Sequence, residues 1–436
     1  MIFFSRALMQ TFWQPYLPYN AVSCRYSEIG TKGRNRRFFV QRLTTALHRR
    51  LAKWFGNPRF VLEEGRIFMM PEGKGAILTP EQLAALRVEV PGLPGIASVS
   101  PGFLLAPELS ALESCILGHF PKVYEAFVAN FPAAERTYTM RVNRSVKNFP
   151  MRSAELERHF AEKLLPGRGL TLDLRNGNLR IEVDLRAKRA FVDFERIEGP
   201  GGLPTGSAGG VLALLSGGFD SPVACYEMMR RGCNVDFITF HSSPYTPPAT
   251  ITKVCGIVRK LNEFQKRGRL VAVNLMPVQK AIRDACEERH RTVLYRRCMM
   301  RLATVVARYF EDTALVTGDN LGQVASQTLA NLDVISRATP MLVLRPLLIF
   351  DKLDIMGIAE RIGTFGLSLE KVPDSCTVFA PQNPATNAHL DAVLADEAKL
   401  NLPELLRECL RNTVIMNALN YNEHPFVELL EQELLL

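Results

Sequence analysis

The feature that most constrains the fold is a glycine-rich loop between an apolar segment and a predicted helix. Residues 211–215 read VLALL, which is typical of a strand covered on both faces of a sheet. The loop SGGFDSP follows directly, at 216–222. Its glycines let backbone N–H groups approach an anion, and Ser221 with Pro222 is expected to begin a helix as N-cap and first residue. Loop and helix dipole together predict a phosphate-binding site.

An aspartate lies within this predicted phosphate site. A carboxylate at Asp220 would repel phosphate, so bound Mg²⁺ or a positioning role is the expected reason for it. The loop has neither the Gly-Lys-Ser/Thr ending of a Walker A loop nor the GxGxxG pattern of a dinucleotide site. The candidate phosphate-binding residues of the loop are Ser216, Gly217, Gly218 and Ser221.

Strands and helices alternate from residue 211 onward, which predicts a doubly wound parallel sheet. Polar residues follow two of its strands, at 239–241 and 318–320, and Arg296 opens a helix where it could hold phosphate. Further polar residues, at 323–327, are expected on the first turns of a helix over 321–332. Because parallel strands end at one sheet edge, these residues should converge there.

The sequence pattern of the first half of the chain predicts a β-α-β-β-α-β unit, which is the ferredoxin-like pattern. A helix is expected over 36–55, and eight Lys or Arg with no acidic residue lie between Lys32 and Lys53. With a net charge of +9 for the chain, this run favours RNA as a partner over a solvated helix face. The expected RNA-binding residues are Lys32, Arg34, Arg36 and Arg37, with Arg141 and Arg144 from a second basic and aromatic stretch.

Composition excludes several classes of protein. Apolar residues make up 47% of the 436-residue chain, enough for large cores. The nine cysteines are too sparse for a disulfide scaffold, and the absence of a CxxC pair argues against a zinc finger. It also argues against an iron–sulfur cluster, although three scattered cysteines could still assemble one. No long apolar segment predicts a membrane span, so we expect a soluble cytoplasmic protein. Residues 1–20 are interpreted as an extension, either non-native, which we favour, or an additional docking segment.

The motifs of the second half resemble those of one enzyme family. SGGFDSPVA is similar to the pyrophosphatase (PP-loop) motif of enzymes that split ATP into AMP and pyrophosphate. TGDNLGQVASQTLANL, RPLLIFDKLDIMGIAERIGT, PDSCTVF and RYSEIGTKGRNRRFF resemble the tRNA 4-thiouridine synthetase (tRNA sulfurtransferase) family. The resemblance implies adenylation of uridine eight of tRNA with ATP and replacement of its 4-oxygen by sulfur from a cysteine persulfide.

The resemblance also implies domains and site residues. The expected domains are a ferredoxin-like domain at 21–90, a THUMP RNA-binding domain at 91–198, a linker at 199–206, a PP-loop domain at 207–390 and C-terminal helices at 391–436. Cys376 matches the family's catalytic cysteine and Asp220 the loop aspartate needed for adenylation. The nucleotide contacts carried over from the family are Leu214, Leu215, Thr239, Phe240, Arg296, Gly318 and Gln327.

The chain departs from the longer family members. Only 60 residues follow Cys376, so we expect no rhodanese domain, direct sulfur delivery by a separate cysteine desulfurase, and no evident role in thiamine synthesis. Cys298 or Cys409 could resolve a persulfide, although a packing role is expected for both. A homodimer is compatible with the family.

Three other functions stay open. A different PP-loop adenylating ligase would use an amine or ammonia and would not need Cys376. A non-catalytic RNA-binding protein would not need an intact loop, and a THUMP-linked methyltransferase would need a glycine-rich methyl-donor loop, which is not seen.

Overall fold

The structure is a computed structural model that describes residues 12–63, 65–146, 149–373, 375, 378–411, 413–416 and 423–425. The chain forms two compact units, of which the N-terminal unit ends at Leu203 and the C-terminal unit begins at Pro204. This boundary falls within the predicted linker. In the part of the chain described, no helix has both the length and the apolar character needed to cross a membrane.

The N-terminal unit is an α+β structure. In chain order its elements are β1 (Ala21–Arg25), α1 (Arg36–Phe55), β2 (Arg59–Glu63), β3 (Arg66–Met70), α2 (Pro80–Glu89), β4 (Ser98–Leu105), α3 (Leu109–Asn130), β5 (Thr137–Arg144), α4 (Ser153–Leu164), β6 (Thr171–Leu172), β7 (Leu179–Leu185), β8 (Ala190–Asp193) and β9 (Ile197–Glu198). The helix α1 has the predicted bounds, because its apolar residues recur every three or four positions and Leu43, Leu47 and Leu51 are fully buried.

One sheet runs through both of the domains predicted for this unit. Over the described residues it has nine strands in the order β2-β3-β1-β4-β8-β7-β5-β6, with β9 beside β4. The strand β4 pairs with β1 on one side and with β8 on the other. The eight residues of β4 join the ferredoxin-like pattern to the part that follows.

Residues 12–20 belong to the core of the N-terminal unit. Trp13 packs against the rings of Phe127 and Phe131, with centroids 5.1 and 5.7 Å away. Tyr19 is fully buried, and Asn20 exchanges two side-chain hydrogen bonds with the backbone of Leu104. Residues 12–20 therefore pack as part of the N-terminal unit; residues 1–11 lie outside the described part.

The C-terminal unit is an α/β structure with helices on both faces of a sheet. Its elements are β10 (Gly210–Leu214), α5 (Asp220–Arg230), β11 (Asn234–His241), α6 (Ala249–Leu261), β12 (Leu270–Asn274), α7 (Met276–Ala285), α8 (Arg291–Tyr309), β13 (Ala314–Val316), α9 (Leu329–Ser336), β14 (Leu342–Leu344), α10 (Lys352–Arg361), α11 (Phe365–Ser368), α12 (Leu390–Glu397), α13 (Leu402–Arg411), β15 (Val414–Met416) and β16 (Glu423–Pro425).

The strand order of this sheet is β14-β13-β10-β11-β12-β15-β16, and the first five strands are parallel. Two apolar cores cover its faces. The predicted fold class is therefore confirmed. The expectation of helices across 391–436 is wrong at β15 and β16, because the triplet Val414–Met416 pairs antiparallel with β12 and a local pattern does not reveal such a partner.

Candidate functional site

The glycine-rich loop lies between β10 and α5, at the carboxyl edge of the parallel strands. The Ser216 N–H donates to Oγ of Ser221 at 2.9 Å, and the Gly218 N–H donates to Oγ of Ser216 at 3.3 Å. The prediction of Ser221 as N-cap is wrong: α5 begins at Asp220, and the Ser221 hydroxyl closes the loop instead. The loop thus directly precedes the amino end of a helix, where the helix dipole favours an anion.

The absence of a side chain at Gly318 allows the end of β13 to lie directly against this loop. A Cβ at this position would lie 2.7 Å from N and 2.8 Å from Cα of Ser221, so the approach of the two backbones requires glycine. The strands β13 and β10 are neighbours, and the chain crosses from one side of β10 to the other between β12 and β13. Loop and Gly318 therefore lie at the topological switch point, where open α/β sheets bind ligands.

Asp220 has one satisfied and one unsatisfied carboxylate oxygen. Oδ2 accepts a hydrogen bond of 3.2 Å from Gln323, whereas Oδ1 is buried and has no partner among the described residues. Burial raises the pKa of Asp220, and Gln323 and Lys352 oppose that shift. An unpartnered carboxylate oxygen beside a phosphate loop fits the oxygen ligands that Mg²⁺ prefers.

Asp319 organises the polar side chains that follow β13. Its buried carboxylate accepts hydrogen bonds from Arg296 at 2.5 Å, Thr317 at 2.7 Å and Arg345 at 3.2 Å, and a longer one from Gln327 at 3.4 Å. Burial alone would raise the pKa of Asp319, but Arg296, Thr317 and Arg345 outweigh burial and lower it. Arg296 and Gln327, both predicted site residues, are thus held on one carboxylate.

The helix predicted over 321–332 is wrong at its start. A turn at Gly322, whose φ is 76°, and a short 3-10 segment at Ala325–Gln327 precede α9, and the hydroxyl of Thr328 caps that helix. Gln327 is therefore in an irregular segment, and its Oε1 is buried with no partner in the described structure. Such an oxygen is available to a ligand.

The remaining predicted nucleotide contacts lie at the ends of β10 and β11. Leu215, Thr239 and Phe240 are buried and Leu214 is half-buried. The Leu215 N–H donates to the carbonyl of Ile238 at 2.8 Å, which fixes the start of the loop on the neighbouring strand. A ligand at this edge would meet these residues through backbone and apolar surface.

Two lysines of the site were missed by sequence reasoning. Lys253, on α6, is buried, and its ammonium lies 3.3 Å from where a Cβ of Gly217 would be. It donates to the carbonyls of Ser368 at 3.0 Å and Glu370 at 2.7 Å, which ties the loop region to the end of α11 and the residues that follow it. The sequence signal that could have identified Lys253 is its position among the apolar residues that recur along the buried face of α6. Lys352 lies over the ring of Phe219, which precedes Asp220.

The predicted nucleophile, Cys376, lies outside the described residues. Its neighbour Ser375 is described and buried, and its carbonyl accepts a hydrogen bond of 2.8 Å from Gln279. Cys298 and Cys409 are fully buried, and burial raises the pKa of each thiol to about 12. Both are core residues, as expected, and are poorly suited to act as thiolates.

The predicted RNA-binding residues lie in the N-terminal unit. Arg34 and Arg37 are exposed at the start of α1, next to Phe38, which is 46% exposed and stacks with Arg42. On β5, Arg141 is exposed and Arg144 is half-buried. Arg144 donates to the carbonyl of residue 151 at 2.9 Å, so part of its role is structural.

Comparisons with known proteins agree with this architecture. Family descriptions match at residues 21–100 (ThiI ferredoxin-like domain), 120–193 (THUMP domain) and 206–402 (Thiamine biosynthesis protein, ThiI). A protein of Halothermothrix orenii named "Probable tRNA sulfurtransferase" is 34% identical, covering 91% of this chain and 98% of its own. One of the same name from Moorella thermoacetica is 36% identical, covering 91% and 97%.

A solved structure is also similar along most of the chain. It is described as a crystal structure of a 4-thiouridine synthetase–RNA complex with bound ATP, and it matches with a TM-score of 0.75 and 31% identity. The match covers 91% of this chain and 99% of that one. The chain therefore belongs to the tRNA sulfurtransferase (4-thiouridine synthetase) family.

Proposed function

We propose that this protein is an ATP-dependent tRNA sulfurtransferase that converts uridine eight of tRNA into 4-thiouridine. The observation that carries the proposal is the closed loop 216–219 at the switch point, beside Gly318 and the Arg296–Asp319 pair, in a chain related along most of its length to a 4-thiouridine synthetase. This arrangement can hold the phosphates of ATP at one sheet edge.

The first step is adenylation. The 4-oxygen of the uridine attacks the α-phosphorus of ATP, the bond to the bridging oxygen of pyrophosphate breaks, and the N3 proton is lost to solvent. The loop N–H groups and the amino end of α5 stabilise the departing pyrophosphate, and Arg296 adds a positive charge at the same edge. The buried Oδ1 of Asp220 could hold Mg²⁺, which would neutralise charge on the leaving group.

The second step is sulfur transfer. The terminal sulfur of a persulfide on Cys376 attacks C4, and AMP leaves as the C4–O bond breaks. A thiol then attacks the sulfur of Cys376, which cleaves the S–S bond to the sulfur now attached to C4. The products are 4-thiouridine and a disulfide between Cys376 and that thiol. A cysteine desulfurase is the proposed persulfide donor, and a second thiol reduces the disulfide.

The N-terminal unit is proposed to bind the tRNA. Exposed cations at the start of α1, namely Arg34 and Arg37, can contact phosphates, and Phe38 offers a ring for stacking. The proposed division is a ferredoxin-like part at 21–90 and a THUMP part at 91–198, followed by the PP-loop part. Since tRNA and its sulfur donors are cytoplasmic, we propose the same location for this protein.

The two steps can be tested separately with purified protein, tRNA, ATP and a persulfide donor. Wild type should release pyrophosphate and form 4-thiouridine. Asp220→Asn should lose both products, whereas Cys376→Ser should still release pyrophosphate in a single turnover without forming 4-thiouridine, because AMP leaves only in the second step. If wild type forms no 4-thiouridine and, once an ammonium salt is added to the reaction, releases AMP and gives a product that carries an amine, the chain is a different PP-loop ligase. If Cys376→Ser thiolates tRNA normally, the assigned nucleophile is wrong.

A further inference from the structure

Three buried polar groups are linked by hydrogen bonds next to the end of β11. The hydroxyl of Ser242 donates to Oε1 of Gln279 at 2.5 Å, and Nε2 of Gln279 donates to the carbonyl of Ser375 at 2.8 Å. Ser242 and Gln279 are fully buried, and Ser375 is 1% exposed. Ser375 precedes the proposed nucleophile, so the chain of bonds ends one residue from Cys376.

The orientation of the Gln279 amide follows from its partners. A carbonyl can only accept, so the amide nitrogen must face Ser375 and the amide oxygen must face the hydroxyl of Ser242. The Ser242 N–H in turn donates to Oγ1 of Thr246 at 2.9 Å. Burying an amide costs free energy unless it is satisfied, and this one is satisfied at both ends. The arrangement therefore has one low-energy geometry.

Further contacts hold the polypeptide before and after residue 376, at Pro373 and Phe379. The hydroxyl of Thr250 donates to the carbonyl of Pro373 at 3.1 Å. The ring of Phe379 packs against Tyr245 at 5.3 Å, and the guanidinium of Arg283 lies 4.5 Å from its centroid. Phe379 itself has a φ of 56°, a backbone conformation that only surrounding contacts keep populated.

The residues that make these contacts belong to two parts of the chain. Tyr245 lies between β11 and α6 and Thr250 lies in the first turn of α6, whereas Gln279 and Arg283 lie one turn apart on α7. The strand β11 ends at the edge that carries Thr239 and Phe240, the predicted nucleotide contacts. The described residues Pro373, Ser375 and Phe379 are thus attached next to the same sheet edge as the proposed adenylation site.

We propose that Gln279, oriented by Ser242, is a positioning residue for sulfur transfer: it fixes the Ser375 carbonyl and thereby the point from which Cys376 approaches the adenylated uridine. The inference rests on the proposed function. Transfer between two held groups is sensitive to displacements of about 1 Å, so loosening this anchor should slow the sulfur step on the order of tenfold or more. Adenylation does not use Cys376 and should be nearly unchanged.

The test compares Gln279→Leu with Gln265→Leu. Gln265 is also buried, and its amide bonds both backbone groups of Val235 at the opposite end of β11. Both variants lose a satisfied buried amide from the same unit, so both should lose stability to a similar extent. Only Gln279→Leu should lower the yield of 4-thiouridine per pyrophosphate released in a single turnover, on the order of tenfold or more.

A second variant covers the case in which Gln279→Leu does not fold. Ser242→Ala keeps Gln279 but removes the hydroxyl that orients it, and should give a smaller decrease of the same yield. An unchanged ratio of 4-thiouridine to pyrophosphate in both variants, or an equal decrease in Gln265→Leu, overturns the positioning role. Wild type that forms no 4-thiouridine overturns the proposed function, and this inference with it.

Discussion

Gly318 shows how a single missing side chain shapes the site. Because a Cβ there would overlap the backbone of Ser221, alanine must push β13 and the loop apart. We expect Gly318→Ala to raise the KM for ATP about tenfold and to lower the free energy of unfolding by about 1–3 kcal/mol. Calorimetry and AMP release measure both quantities.

The control is Gly357→Ala. Gly357 is exposed within α10, and a Cβ there would meet no atom within 4 Å. Alanine should therefore stabilise the helix by up to about 1 kcal/mol and leave the KM unchanged. A Gly318→Ala enzyme with normal stability and normal KM would contradict the close approach.

The burial of Asp312 predicts that the free energy of unfolding depends on pH. It is 7% exposed, and burial together with the nearby Asp236 raises its pKa from 3.8 to about 7. The folded protein therefore holds a proton that the unfolded chain releases near pH 4, so stability falls as the pH rises from about 4 to 7. Asp312→Asn should be more stable than wild type at pH 8, by up to about 2 kcal/mol, with the advantage shrinking toward pH 4.

The matched variant for this prediction is Asp236→Asn. Asp236 accepts hydrogen bonds from the backbone N–H of Arg269 at 2.6 Å and from its Nε at 3.0 Å, so losing its charge should destabilise the protein at pH 8. Thermal unfolding at pH 5 and pH 8 measures both effects. A stability difference for Asp312→Asn that does not change with pH would show that Asp312 does not hold the proton.

At the scale of elements, local sequence patterns predicted the helices and strands whose structure is determined by the spacing of their own side chains. The helix α1 has its predicted bounds because a strong apolar spacing leaves one possible buried face. The strands β14 and β15 were not predicted at all, because their stability comes from partners distant in sequence. The turn before α9 was missed because apolar spacing cannot show that Gly322 takes a positive φ.

Two exposed cations, Arg34 just before α1 and Arg37 in its first turn, carry a prediction about RNA. Replacing Arg34 and Arg37 together with alanine should weaken tRNA binding and lower the slope of log affinity against log salt by about one for each phosphate that the protein no longer neutralises. Gln41→Ala, an exposed neutral change on the same helix, should leave both unchanged. Equal binding by the double variant and Gln41→Ala would exclude this surface from tRNA recognition.

At the scale of the whole molecule, the predicted fold class is right, but the sequence did not show how the two domains predicted within the N-terminal unit are joined. Two predicted domains share one sheet through β4, and residues 12–20 complete their core. Both features depend on long-range packing, which no local pattern reveals. The predicted site residues at the sheet edge converge as expected, whereas the buried Lys253 and Gln279 emerged only from the structure.

Trp13 tests the role of residues 12–20 in the N-terminal unit. Trp13→Ala removes a ring that packs on Phe127 and Phe131, and should lower the free energy of unfolding of this unit by about 2–4 kcal/mol. Val88→Ala, at a position that is 72% exposed, should change it by less than about 0.5 kcal/mol. Two variants of equal stability would mean that the segment is dispensable for folding.

The most direct test of the proposed function is the thionucleoside content of tRNA from cells that lack this gene. The proposed function predicts that wild type restores 4-thiouridine and that Cys376→Ser does not, although it is expressed and folded. If both restore it, sulfur passes through another group and the assigned nucleophile is wrong. If neither restores it, while both are expressed and folded, the chain is not a tRNA sulfurtransferase.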